Sequence, residues 1–215
     1  MPLFKQIQDK GLVVSVWKME ETEEQLYDLL GRSSNKLKTE CDKRFTAGTR
    51  KKEWLSVRVL LRQLLGENIS IGYRKNGEPF LIGSEKKISI SHTREFVAVA
   101  IHPHYFVGVD IETFSHRIDH ITDKIMSSSE RGFLESSADS ETWYSLLVWS
   151  MKESIFKCLD LDYLDYKKGI LVTPFKLLQS GETSIRYVYS NFSYIFPIHY
   201  LYTEKFVLTW CFERS

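Results

Sequence analysis

Cysteine is scarce in this 215-residue chain, and the three present, Cys41, Cys158 and Cys211, show no C-x-x-C spacing. That excludes a disulfide framework or a zinc knuckle as the organising device. There are only five prolines and no low-complexity linker, so any subdivision should be into tightly packed parts. No apolar run approaches the ~20 residues that span a bilayer. The N-terminus lacks a signal-peptide pattern. These absences lead us to expect a soluble, cytoplasmic protein with no membrane partner. Neither a P-loop nor a G-x-G-x-x-G run occurs, which removes two common nucleotide-binding designs. An excess of charge of one sign is missing too. Lys and Arg total 29 against 28 Asp and Glu, a formal net charge of +1, which argues against nucleic acid as a partner.

What is present suits a folded α+β protein of one large domain or two small ones. Hydrophobic residues make up 43% and aromatics 13% of the chain, enough for a sizeable core. The pattern predicts a strand over Leu12–Trp17 and a helix over Glu21–Leu30 stopped by Gly31. A second helix is predicted over Thr49–Leu65, with Trp54, Val57, Leu61, Leu64 and Leu65 on one side and Lys51, Arg58 and Arg62 on another. Asn76-Gly77 signals a turn. Strands follow over Lys87–Ser91 and Phe96–Ile101 and in a run ending at Glu112. A short helix over Ile118–Met126 precedes a long one over Glu141–Leu159. Three strands close the chain near Ser184–Tyr189, Tyr194–Tyr202 and Lys205–Phe212.

Charge is spread unevenly. Between Arg32 and Arg62 there are ten basic residues against Glu40, Asp42 and Glu53, a local excess suited to a small polyanion. Two acidic pieces carry the most information. In Val107-Gly108-Val109-Asp110-Ile111-Glu112 the two carboxylates stand at i and i+2, hence on one face of a strand. Facing like charges imply either a cation between them or exposure to water. In Trp149-Ser150-Met151-Lys152-Glu153-Ser154-Ile155-Phe156-Lys157, Glu153 and Lys157 lie one helical turn apart. Three acids with a lysine suit a hard divalent cation gripping a phosphate. The alternative is a solvated i,i+4 pair worth only ~0.3–0.5 kcal/mol.

An internal similarity links Ser91–Ala100 with Leu201–Trp210, each a polar-tipped hairpin with a helix upstream. It is either a chance likeness of hairpins or a duplicated α+β unit with a ligand cleft between the halves.

The order of these pieces resembles the 4′-phosphopantetheinyl transferases, in particular the larger two-lobed, surfactin-synthetase-activating branch. The resemblance rests on the run Arg50–Arg58, on Gly77-Glu78-Pro79, Ile88–Thr93 and Gly108–Glu112, and on Trp149–Lys157. It spans about residues 44 to 160. It implies two similar α/β lobes with pseudo-twofold symmetry, residues 1–104 and 105–215, with coenzyme A at their junction, acting as a monomer. The implied reaction moves 4′-phosphopantetheine from coenzyme A to a serine of an apo acyl or peptidyl carrier protein, with Mg²⁺, releasing 3′,5′-ADP.

The resemblance also implies roles. Asp110, Glu112 and Glu153 would hold the metal, and Glu153 or a water it orients would take the serine proton. Asp110, Glu153 and Lys157 form the catalytic set. Lys38, Arg44, Arg50, Lys51, Arg58, Lys75, Ser91, His92, Thr93, Lys152 and Lys157 would contact coenzyme A. Glu78 stands where relatives have lysine, and Lys75 is its potential substitute. A carrier is expected to dock on Arg117, Ile118, Ile121, Lys124, Ile125 and Met126, unless those apolar residues pack an ordinary amphipathic helix onto the core. Two other readings stay open: an inactive carrier-binding homologue, and another Mg²⁺-dependent nucleotide or phosphate enzyme.

Overall fold

The computed structural model describes residues 3–67, 69–115, 117–131, 138–159 and 165–213. The chain divides into two compact units, over residues 1–104 and 105–215, each mixed α+β.

In the first unit β1 (Leu3–Asp9) and β2 (Leu12–Lys18) form a hairpin, followed by three helices. Helix α1 (Glu23–Leu30) begins with a capping box in which Thr22 and Gln25 satisfy each other's backbone amides. Helices α2 (Ser34–Arg44) and α3 (Gly48–Leu65) follow. A small hairpin, β3 (Ser70–Tyr73) with β4 (Pro79–Ile82), turns at Gly77, whose φ of +90° favours a residue without Cβ. Strands β5 (Lys87–His92) and β6 (Phe96–His102) complete an antiparallel sheet of order β1-β2-β6-β5. Helix α3 packs on β6 and β2, and its Leu55, Val59 and Leu60 join Trp17, Val97 and Val99 in the core.

In the second unit β7 (Phe106–Thr113) leads through a 3₁₀ turn (Ile118–His120) and two single-turn helices, α4 (Thr122–Ile125) and α5 (Ser128–Arg131). Helix α6 (Ala138–Cys158) is followed by β8 (Ile170–Val172), β9 (Ser180–Tyr189), β10 (Phe192–Tyr202) and β11 (Phe206–Glu213). The sheet order is β7-β11-β10-β9-β8, antiparallel throughout. Helix α6 contains neither Gly nor Pro, is buried almost all round, and packs on β7 and β11.

Both units place their last strand inside the sheet, β6 between β2 and β5, β11 between β7 and β10. The turns before those strands are built alike. Thr93 N donates to Phe96 O, and the Thr93 hydroxyl accepts from the amides of Glu95 and Phe96. Thr203 makes the same three bonds with Phe206, Lys205 and Phe206.

All three cysteines are free and buried. Among the described residues no helix is long and apolar enough to cross a membrane.

Candidate functional site

The acidic site begins with an unusually close approach of helix and strand. A Cβ placed on Gly108 would sit 1.8 Å from the Ser154 carbonyl oxygen, so glycine is required for α6 to lie directly on β7. Hydroxyls stitch the same seam. Ser154 Oγ donates to Thr209 O at 3.0 Å, and Ser150 Oγ lies 2.9 Å from Thr209 Oγ1. Thr209 is the cross-strand partner of Asp110. Small polar side chains thus bring the helix backbone against two strands while satisfying their own hydrogen bonds.

On a helix this buried, only a narrow strip stays partly open, and its middle and lower turns carry Trp149, Glu153, Phe156 and Lys157. Two of these bond to the acids of β7, and a third is itself an acid. Lys157 Nζ lies 2.7 Å from Asp110 Oδ1 and 3.2 Å from the Val109 carbonyl. Trp149 Nε1 donates to Glu112 Oε1 at 3.1 Å. Glu153 Oε1 accepts from the Tyr166 hydroxyl at 2.7 Å. Lys157 is therefore paired across to the strand, which differs from the i,i+4 partnership with Glu153 that its spacing permits.

Electrostatics tie the acids together. Burial, then the charge of Asp110, push the Glu112 carboxyl up to about 7, against relief from Trp149 and Lys157. Burial also raises Glu153, with Asp110 adding to the rise and Tyr166 and Lys157 opposing it. With all three carboxylates (Asp110, Glu112, Glu153) ionised, the one ammonium (Lys157) leaves a surplus of two negative charges, which a divalent cation with a preference for oxygen ligands would neutralise while favouring the ionised forms. The donor set fits such an ion in type and charge. As the side chains stand, however, no three His, Cys, Asp or Glu residues among those described are gathered closely enough to hold one.

Tyr166 escaped the sequence reading. Its ring stacks on Trp149 and Phe156 at centroid distances of 5.4 and 5.9 Å, and its carbonyl accepts from Lys152 at 2.7 Å. The legible signal is Asp165, whose carboxylate accepts from the amides of Lys167 and Lys168 and so caps an ordered turn ending at Gly169.

Lys152, expected at coenzyme A, is placed elsewhere. Its side chain is 0% exposed, paired with Glu130 at 2.9 Å and donating to the carbonyls of Ile125 and Tyr166. Glu130 in turn accepts from the amides of Ser127 and Val172. Position 152 faces inward on α6, so its ammonium serves the core of the unit and is out of a ligand's reach.

The expected carrier-docking helix is corrected as well. The segment breaks at Ile121 into a 3₁₀ turn and the single-turn α4. Ile118, Ile125 and Met126 belong to the core beneath α6, and Ile121 packs against it. Arg117 and Lys124 remain exposed. Ile118, Ile121, Ile125 and Met126 thus close the unit on its own core.

In the first unit the basic candidates separate into distinct places. Arg58 is 7% exposed and stacks over Trp54, 3.2 Å from the ring centroid, donating to the Trp54 carbonyl. Burial lowers its guanidinium to about 10. With Arg32, Lys36, Arg44 and Arg62 it lines a cavity of about 770 Å³. Lys38 lines a separate, smaller cavity beside Tyr27, and Lys51 pairs with Asp42. Arg50 and His92 both meet Glu53. Ser91 is buried, and the Thr93 hydroxyl is engaged in its own turn. Lys75 is exposed in the β3–β4 turn, where Glu78 pairs with Arg74 at 2.6 Å. That pairing offsets the repulsion a bare Glu78 would exert on an anion.

Comparison with known proteins points to the same half of the chain. Residues 106–211 match the sequence model of the 4′-phosphopantetheinyl transferase superfamily. Two curated relatives, the 4′-phosphopantetheinyl transferases AcpT of Salmonella typhimurium (strain LT2) and of Salmonella typhi, are each 27% identical over 114 residues. Those alignments cover 51% of this chain and 59% of each relative. The chain thus spans about three fifths of the length of the curated relatives it matches. The matched stretch contains the close seam at Gly108, all three acids and Lys157, so it is in this part of the chain that the similarity to the 4′-phosphopantetheinyl transferase superfamily lies.

Proposed function

We propose that this protein transfers 4′-phosphopantetheine from coenzyme A to a serine of an apo acyl or peptidyl carrier protein. The observation that carries the reading is the grouping of Asp110, Glu112, Glu153 and Lys157 within the stretch matched by the family. The serine oxygen attacks the phosphorus next to pantetheine. The bond from that phosphorus to the bridging oxygen breaks, and 3′,5′-ADP departs. Glu153, or a water it orients, takes the serine proton. The raised affinity of Glu153 for a proton suits it to that task. The Tyr166 hydrogen bond fixes the direction of its carboxylate. Lys157, anchored on Asp110, sets positive charge beside the phosphate oxygens where the leaving group gains charge.

Asp110, Glu112 and Glu153 are the residues that would hold a divalent cation such as Mg²⁺, which when bound supplies charge neutralisation for the diphosphate. Coenzyme A contacts are assigned to Arg50 and His92, with Arg44 and Arg58 as cavity-lining candidates for a phosphate. Assignment to the larger two-lobed branch is supported by the two units with an inserted last strand and by the matched Thr93 and Thr203 turns. On that reading a single chain is active, and light scattering during turnover should report a monomer.

The deciding experiment incubates the protein with coenzyme A, Mg²⁺ and an apo carrier, then weighs the carrier. A gain of one phosphopantetheine mass is expected. A carrier that is bound but unmodified points to an inactive homologue. A carrier neither bound nor modified removes the proposal.

A further inference from the structure

We infer that Glu53 is a positioning residue that holds Arg50 and His92 together as one phosphate-binding pair, an inference resting on the coenzyme A reading above. Glu53 lies on α3, one turn beyond Arg50, and is only 7% exposed. Its Oε2 accepts from Arg50 Nη1 at 2.9 Å and lies 3.4 Å from His92 Nδ1. His92 arrives from the end of β5, so a single carboxylate oxygen joins a helix to a strand.

A carboxylate this buried is tolerable only when paired. Both partners keep their outer parts in solvent, since the side chains of Arg50 and His92 are 60% and 37% exposed while that of Glu53 is 10% exposed. The arrangement is a buried anion beneath two exposed nitrogen-rich groups. A carboxylate alone would repel a phosphate. Beneath a guanidinium and an imidazole it instead aims both, removing rotamer freedom that a ligand would otherwise have to quench. A guanidinium fork with a neighbouring imidazole matches the oxygens of a phosphate. With the carboxylate 3.4 Å from Nδ1, Nε2 is the ring nitrogen on the side away from Glu53. The sequence run Arg50-x-x-Glu53 therefore has a physical reason for its acid as well as for its base.

The test measures coenzyme A affinity by calorimetry, and KM and kcat for transfer, in wild type and in E53Q, H92A, R50A and their pairs. Glutamine preserves shape and removes the charge. E53Q is expected to weaken coenzyme A about tenfold, with the loss falling on KM for coenzyme A more than on kcat. In the H92A background the same substitution should cost less than about threefold, because one of the two groups it positions is gone and the pair no longer exists. A folded E53Q that binds coenzyme A like wild type overturns the inference, and so does an E53Q penalty that is the same with and without His92. If E53Q does not fold, R50A and H92A decide. Non-additive losses support the shared anchor, and losses additive within about twofold overturn it. A wild-type protein that binds no coenzyme A would sink the underlying reading and not merely the role of Glu53.

Discussion

Lys157 Nζ lies 2.7 Å from Asp110 Oδ1, although the two residues are 47 apart in the chain. Asp110 is 5% exposed and Lys157 27%, so the acid is anchored in the unit while the lysine keeps an open side toward a ligand. Asp110→Asn should remove the charge that holds Lys157 and that, on the proposed function, would supply metal affinity. We expect transfer to fall by about 10²–10³-fold with the circular dichroism spectrum unchanged. An Asp110→Asn protein that modifies its carrier at the wild-type rate would contradict the assignment.

Glu112 sets a pH signature. Its carboxyl stands at about 7 in the folded chain against an ordinary 4.5, so the folded state binds a proton that the unfolded state has released. The stability this group contributes is complete below about pH 4.5 and is lost as pH rises through about 7. Metal-free protein should melt at falling temperature across that window. Glu112→Gln, which retains an acceptor for Trp149, should flatten the decline. Added Mg²⁺ should raise the melting temperature more at about pH 8 than at about pH 5. A Glu112→Gln melting profile parallel to wild type would show that the carboxyl titrates elsewhere.

Lys152 and Glu130 form an ion pair with side chains 0% and 1% exposed. Lys152→Met strands the carboxylate and should destabilise the fold by about 3–5 kcal/mol. Pairing it with Glu130→Leu should recover part of that loss, leaving the amides of Ser127 and Val172 as the residual cost. Urea denaturation measures both. A Lys152→Met protein of normal stability with weakened coenzyme A binding would return the residue to the ligand.

Gly108→Ala should be disproportionately harmful for one methyl group. Its Cβ would meet a main-chain oxygen at 1.8 Å, and that oxygen moves only if α6 moves. We expect a loss of about 1–3 kcal/mol or more together with reduced transfer, because the helix carries Glu153 and Lys157. Gly66→Ala makes a contrasting control: nothing lies within 4 Å of a Cβ there and the strain is confined to its φ of +92°, so any stability loss should come without a loss of transfer.

That Asp110 and Glu112 share a face of β7, and Glu153 and Lys157 a face of α6, was legible because both spacings are local geometry; that Lys157 reaches across to Asp110 was not. The long helices and the Asn76-Gly77 turn were legible for the same reason. What the residues concealed was direction. Lys152 looks like one more phosphate ligand until the helix is rotated into place, and only then does it point at Glu130. Arg58 has the spacing of a polar face yet is buried against Trp54, its stem and guanidinium acting as packing surface. Ile125 and Met126 have the pattern of a docking helix because the same stripe serves a core. Strand β1 was invisible because its side chains are mostly exposed and its sequence, LFKQIQD, lacks a buried face, so backbone pairing with β2 alone defines it. Tyr166 lies outside any periodic element.

The seam at Gly108 has a consequence for how the second unit can vary. Where two elements are separated by a layer of interlocking side chains, each exchange of one apolar residue for another shifts their spacing slightly. Here the main chain of α6 rests on the main chain of β7 at the level of Ser154, so the separation is set by atoms common to every residue type. Divergence in the hydrophobic interior around Leu147 and Met151 can then accumulate without carrying Lys157 away from Asp110, which makes the reactive geometry more heritable than the core that surrounds it.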